Sequence, residues 1–245
     1  MLTEKTKISV NGIDIPLMVY RERRRGVRFS IVKDGIVNIR MPIMLTPDQE
    51  NEQFRLLSDW ISKVMHKKSN IVHRFVKNEY KSGDQVKVGA RTYYLEISFE
   101  DRKSHVAKLS KGTVFLNLAE SDSTEGQQKA IRQLLSKVVA NDFLPEISRR
   151  THEINHLHFR KEIKSISFKY NHSNWGSCSR TGNINFSTRL MFAPDDVIDY
   201  VIVHELSHLI EMNHSSRFWN IVESIMPDYM EKEKWLSANS SICDF

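Results

Sequence analysis

The sequence predicts an α+β protein, with a strand-rich N-terminal domain over residues 1–120 that carries one or two helices, then a helix-rich domain over residues 121–245. Three observations support this. The first forty residues alternate apolar and polar side chains, the period of a half-buried strand. Beyond Gly126, apolar residues recur at helical spacing. Between the two textures, Ser121 to Gly126 is polar and turn-like, which places a soft boundary near residue 120.

Each element has a local cause. Ile8, Val10, Ile13, Ile15, Leu17 and Val19 flank Asn11-Gly12, while Val27, Phe29, Ile31, Ile36, Val37 and Ile39 flank Asp34-Gly35. Both dipeptides tolerate the positive φ of a tight turn, so two hairpins are expected. Thr46-Pro47-Asp48-Gln49 opens a helix, with Thr46 as cap, Pro47 in the first turn and Gln49 closing a capping box. Phe54, Leu57, Trp60, Ile61 and Val64 continue it. Further strands are expected from Gln85 to Phe99 and from Val106 to Leu118, with turns at Gly89 and Lys111-Gly112. A helical stripe follows in Ala130, Ile131, Leu134, Leu135, Val138 and Val139. Ile163 to Lys169 and Asn183 to Ser187 alternate like strands; Pro194-Asp195 opens a helix that runs beyond His208, and a last helical stretch begins near Ser215. No internal repeat or low-complexity segment is visible.

Composition narrows the class. With 245 residues, 40% of them hydrophobic and 27% charged, the chain can build a sizeable core. No apolar run reaches membrane-spanning length, and Met1 to Lys7 lacks the apolar core of a signal peptide. Two cysteines, Cys178 and Cys243, make no disulfide framework, so the cytoplasm is the expected compartment. The net charge of +6 permits an anionic partner without requiring one.

The chemistry concentrates in Val203-His204-Glu205-Leu206-Ser207-His208, an H-E-x-x-H segment. Histidines four apart share one helical face, so both imidazoles can reach one zinc ion at ~2.0–2.1 Å. Glu205 is then beside the metal without being a ligand, placed to take a proton from metal-bound water. With ten His and 17 Glu in the chain, chance placement would produce the pattern only about 0.03 times per chain, so composition explains it poorly. The flanking Val201, Ile202, Leu209 and Ile210 are apolar; a buried helix of this kind needs partners for its polar groups, and a metal supplies them. His214 is the favoured third ligand, reached after a turn that Asn213 could make in the left-handed conformation; Glu223 is the rival. The spacing from His208 to His214 matches a metzincin, but Glu211 stands where that pattern has glycine, so that family is not inferred. Two core histidines hydrogen-bonded within an amphipathic helix remain the alternative.

Several other residues carry two readings each. His152, His156 and His158 lack a suitably placed glutamate and read as surface or helix-end residues. Trp175-Gly176-Ser177-Cys178 reads either as a cleft-rim loop with Ser177 facing substrate or as a tight turn with Trp175 in the core, and Cys178 as a fourth ligand would close the site. The strand Asn183–Ser187 is either an edge open to a peptide or, the favoured reading, an internal strand. Arg21, Arg23, Arg24, Arg25 and Arg28 can hold phosphates of a nucleic acid or nucleotide; a solvated turn is the favoured alternative. Trp219 reads as core, and Arg217 could face the cleft.

The segments Asn174 to Ser179, Gly182-Asn183-Ile184-Asn185-Phe186, Leu190, Ala193-Pro194, Val197 to Leu209, Asn213-His214-Ser215, Phe218-Trp219 and Pro227-Asp228-Tyr229 together resemble the YgjP-like metal-dependent hydrolase family, related in its metal helix to SprT-like and other zincin proteases. The resemblance is close over about residues 165–236 and looser in the Arg21–Arg28 turn and the Asp34-Gly35 hairpin. Ser207 stands where alanine is common. The resemblance implies a zincin-like catalytic domain, with His204, His208 and His214 as ligands and Glu205 catalytic. Both peptidase and nucleoside triphosphate pyrophosphohydrolase activities are associated with the family. The expectation is therefore a zinc-dependent metallopeptidase acting on a peptide or protein, with one zinc or other divalent ion. The alternatives are a nucleotide pyrophosphohydrolase and a nucleic-acid- or protein-binding module with a structural metal. No membrane partner is expected.

Overall fold

A computed structural model of the protein describes residues 2–32, 35–67, 79–171, 173–240 and 243–245. It divides into two compact units, Met1–Asn78 and Glu79–Phe245.

The first unit holds strands β1 (Leu2–Val10), β2 (Ile13–Glu22), β3 (Arg28–Ile31) and β4 (Val37–Pro42), followed by helix α1 (Pro47–Lys67). Asn11 and Gly12, at φ 54° and 78°, turn β1 into β2 as the sequence led us to expect. Asp34, of the second expected turn, lies outside the described residues; Gly35 beside it has φ 75°. The sheet order is β1-β2-β4-β3, with β2 and β4 parallel and the outer pairs antiparallel. Val10, Ile15, Leu17, Val19, Val37, Ile39 and Met41 alternate onto one face, where Leu57, Ile61 and Met65 of α1 close a core. Each large aliphatic side chain so buried contributes about 1.5–3 kcal/mol. The capping box at the start of α1 is reciprocal: Gln49 N donates to Thr46 Oγ1 at 3.3 Å, and Thr46 N donates to Gln49 Oε1 at 2.9 Å.

The second unit repeats this topology before adding to it. Strands β5 (Gln85–Val88), β6 (Arg91–Glu100), β7 (Val106–Ser110) and β8 (Thr113–Ala119) form a sheet of order β5-β6-β8-β7, again with a parallel central pair, and helix α2 (Thr124–Ile154) covers one face. The chain thus contains two successive ββββα arrangements that residue-level inspection does not reveal. The unit boundary also differs from the expected position near residue 120. Val86, Val88, Tyr93, Leu95, Val114, Leu116 and Leu118 share one core with Ile131, Leu135 and Val139 of α2, so the strands before residue 120 belong with the helix after it.

Helix α2 runs through Pro145 and closes in a π-turn, Asn155–Phe159, ended by Arg160 at φ 52°. A third sheet follows, of order β10-β11-β9, from β9 (Ser165–Lys169), β10 (Gly176–Cys178) and β11 (Asn183–Ser187). Helices α3 (Asp195–Ser207), α4 (Ser216–Ile225) and α5 (Tyr229–Asn239) complete the unit. No helix among the described residues is long and apolar enough to cross a membrane.

Candidate metal centre

Helix α3 is fixed at its start by charge. Asp195 and Asp196 lie in its first turn, where the helix dipole favours carboxylates. Arg150 of α2 donates to Asp195 Oδ1 at 2.8 Å and to Asp199 Oδ1 at 2.8 Å, and Lys232 of α5 pairs with Asp196 at 2.7 Å. The rest of α3 is almost entirely buried. Ser207 fits this interior because its hydroxyl donates to Val203 O at 2.7 Å, so a small polar residue serves where a small apolar one would.

The helix stops at Ser207, earlier than expected, and His208 is its C-cap in the right-handed conformation. Leu209 N donates to Leu206 O and Ile210 N to Ser207 O, three-residue bonds that tighten the last turn and satisfy its carbonyls. Asn213 is not left-handed, so the turn to His214 is made by these bonds rather than by an αL residue. Ser215 then caps α4, accepting from Phe218 N.

This path returns His214 to the helix. Ring nitrogens of His204, His208 and His214 lie within 4.8 Å of one another, and His204 Nε2 is 3.0 Å from His214 Nε2. Phe218, fully buried, packs against all three imidazoles with centroids 4.9, 4.6 and 4.8 Å away. Trp219 stacks on His214 at 5.8 Å, so it borders the cluster as well as the core. The Nδ1 of His208 lies 3.1 Å from Glu211 O; a carbonyl only accepts, so Nδ1 carries the proton and Nε2 keeps its lone pair. Burial, and behind it the neighbouring His208 and His214, push the His204 imidazole down to about 3; burial also lowers His208. Both rings are therefore neutral near pH 7, the form that binds metal.

Glu205 is 4% exposed, and its Oε2 has no hydrogen-bond partner, as is true of His204 Nδ1. Burial pushes its carboxyl up to about 8. Strand β10 passes directly over it, so that a Cβ placed on Gly176 would stand 2.7 Å from both Cγ and Cδ of Glu205. Three converging imidazoles are a donor set suited to zinc, and the orphaned, buried Glu205 Oε2 beside them lacks the partner that water on a bound ion would provide. The residues fit a metal.

Other candidates fall elsewhere. Glu223 is exposed on α4 and outside the cluster; half-buried Cys178 of β10 is outside it too, its thiol pushed up to about 11 by burial and by Glu205. The segment Gly176–Cys178 is an edge strand rather than a loop or turn; Gly176 faces Glu205, so by strand alternation the exposed Ser177 faces away from it. Asn183–Ser187 is internal, between β9 and β10. Trp175 packs against the core and carries the guanidinium of buried Arg189 over its ring at 4.7 Å; Arg189 in turn donates to Cys243 O at 2.9 Å. His152, His156, His158 and Arg217 are exposed. The roles of Gly176 and Phe218 escaped sequence reasoning, although the glycine stands in a recognisable segment.

Three histidines thus converge where helix α3 ends, with buried Glu205 next in sequence to one of them. The family described as YgjP-like, metallopeptidase domain, matches residues 25–239. The chain belongs to that family of metallopeptidase domains. Among solved structures it is similar to the metallopeptidase zymogen of Pyrococcus abyssi abylysin, at 18% identity and a TM-score of 0.34, over 37% of this chain and 92% of that one. It is also similar to the metallopeptidase zymogen of Methanocaldococcus jannaschii jannalysin, at 22% identity and 0.33, over 37% and 93%. No curated protein matches.

Proposed function

We propose that this chain is a zinc-dependent metallopeptidase in which His204, His208 and His214 hold one metal ion and Glu205 is the general base. The observation that carries this reading is Glu205 itself, a buried carboxylate with an unpartnered oxygen, next in sequence to one of three converging imidazoles. Zinc held by the three histidines would supply Lewis acidity, polarising a carbonyl and lowering the pKa of a water to about 7. Glu205 would take the attacking water's proton and deliver it to the departing amine nitrogen. Strand β10, at the edge of its sheet, offers an extended peptide backbone a pairing partner beside Glu205.

A peptide is favoured over a nucleotide because the family model that matches residues 25–239 describes a metallopeptidase domain. The test is to assay the zinc-loaded protein against a peptide library and a nucleoside triphosphate panel in parallel. Peptide cleavage that a chelator abolishes and zinc restores is expected; triphosphate hydrolysis without peptide cleavage would transfer the site to the pyrophosphohydrolase reading.

A further inference from the structure

The positive charge of this protein is not shared between its two units. Residues 1–78 contain 15 of the 36 Lys+Arg and 8 of the 30 Asp+Glu, which leaves 21 and 22 for residues 79–245. The first unit is thus at +7 and the second at −1. A metal centre confined to the second unit gives no reason for the difference.

Within the first unit the charge has a location. Helix α1 covers the face of the sheet that carries Ile15, Leu17, Val19, Val37 and Ile39. By alternation, the opposite face carries Lys5 and Lys7 of β1, Arg28 of β3 and Arg40 of β4, with Asp14 and Glu22 as its carboxylates. The turn after β2 adds Arg23, Arg24 and Arg25 at the end of the same sheet. Seven cations therefore stand against two carboxylates. Glu22 is shared by Arg40 and Arg24. Lys5, Lys7, Arg23, Arg25 and Arg28 are exposed, and none of them has an ion-pair partner among the described residues. Arg28 and Arg40 sit directly opposite one another on adjacent strands; Glu22 pairs with Arg40, which leaves Arg28 without an ion-pair partner among the described residues.

The second ββββα arrangement serves as an internal control. Its corresponding outer face carries Lys87 and Lys108 against Glu96 and Glu100, an even balance. The topology does not demand a cationic face; the first copy has one for another reason.

We propose that this face and the Arg23–Arg25 turn bind the phosphodiester backbone of a nucleic acid, independently of base sequence. Arginine supplies five of the seven cations, and its planar fork matches phosphate oxygens two at a time. The cations are spread over three strands of one sheet face, as a chain of phosphates laid across it requires. A lipid surface would call instead for an apolar face to insert, whereas this face carries the cations, and the exposed large hydrophobics at this end of the sheet, among the described residues, are Leu2, Ile43 and Met44.

The test uses the full chain. Binding of a fluorescent single-stranded RNA 20-mer, the single-stranded DNA of the same sequence and its duplex is measured by anisotropy from 50 to 300 mM salt, beside vesicles rich in anionic lipid. Binding to nucleic acid is expected, with log K falling against log salt at a slope of about −3 to −4 for single strands if the five free cations each meet a phosphate. The variant Lys5→Gln, Lys7→Gln, Arg23→Gln, Arg25→Gln, Arg28→Gln should bind at least ~10-fold more weakly with a flatter slope, at an unchanged melting temperature. Lys87→Gln with Lys108→Gln should change neither. The relative affinities for RNA, DNA and duplex identify the natural source of the backbone. No binding at 50 mM salt, binding untouched by the five substitutions, or preference for vesicles over every nucleic acid would each overturn the proposal. None of these readouts depends on hydrolysis, so they stand apart from the test of the metal centre.

Discussion

Gly176 and Glu205 are in such close approach that no other residue fits at position 176 without moving the carboxylate: a Cβ there would stand 2.7 Å from Glu205 Cγ, well inside contact distance. Glu205 cannot retreat freely, because it is buried on a helix whose neighbouring side chains are buried too. Gly176→Ala should therefore displace the carboxylate by a fraction of an ångström to about one ångström, and misplacements of that size cost roughly 10²-fold in turnover. The expected outcome is a fall in kcat of that order with metal content unchanged. Zinc analysis alongside kinetics checks it; full activity in the alanine variant would show that Glu205 needs no fixed position.

The ligand set makes a separate prediction. His204→Ala or His208→Ala should lose the bound ion, and His214→Ala should weaken it strongly, whereas Glu223→Ala should leave it unchanged, since Glu223 is exposed and outside the cluster. Calorimetric titration of zinc into each metal-free variant distinguishes them. Tight binding in His214→Ala with loss in Glu223→Ala would reverse the assignment.

How much of this was legible in the sequence follows the range over which each feature is determined. The Asn11-Gly12 turn, the Thr46–Gln49 box and the His204–His208 pair depend on residues within four positions of each other, and the structure has all three in place. The unit boundary at 78 was not legible, because it is decided by Leu95 and Leu116 packing on Ile131 and Leu135, contacts that leave no mark in local composition. The ββββα repeat was hidden for the same reason: its defining parallel pairs, β2 with β4 and β6 with β8, join strands that have another strand between them in sequence. Asn213 misled because residue preference for αL is weak beside the tightened bonds that end α3. Gly176 could have been flagged only by asking what a side chain there would meet, a question that needs the fold.

Cys178 offers a prediction about pH. Burial first, and Glu205 second, push its thiol from the ordinary value near 9 up to about 11. At pH 8 the thiolate fraction then falls from about one in ten to about one in a thousand, so alkylation of Cys178 in the native protein should be roughly 100-fold slower than in the unfolded chain. The sign for stability follows: the folded state holds this proton more tightly, so its contribution is present below pH 9 and is lost as pH rises towards 11. Removing metal should not change the alkylation rate, because Cys178 is outside the histidine cluster. Peptide-resolved mass spectrometry after timed labelling measures this, and rapid labelling only in the metal-free protein would make the thiol a ligand after all.

The last prediction concerns Glu205 as base. Glu205→Gln keeps the side chain's volume and its hydrogen-bonding reach but removes the basic carboxylate. The histidine cluster does not include Glu205, so zinc content should remain near that of the parent protein. Its desolvation also costs less as an amide than as a carboxylate, so the metal-free variant should melt no lower than the metal-free parent. The sign can be sharpened with pH. A carboxyl raised to about 8 lets the folded metal-free protein hold a proton that the unfolded chain releases above about 4.5, so the parent should lose stability as pH climbs from 5 to 8 and the glutamine variant should lose less. Turnover should drop by roughly 10²–10⁴-fold, the usual worth of a positioned acid–base group. Loss of metal in this variant would make Glu205 a ligand, and retention of both metal and full turnover would leave the reaction with a base other than Glu205.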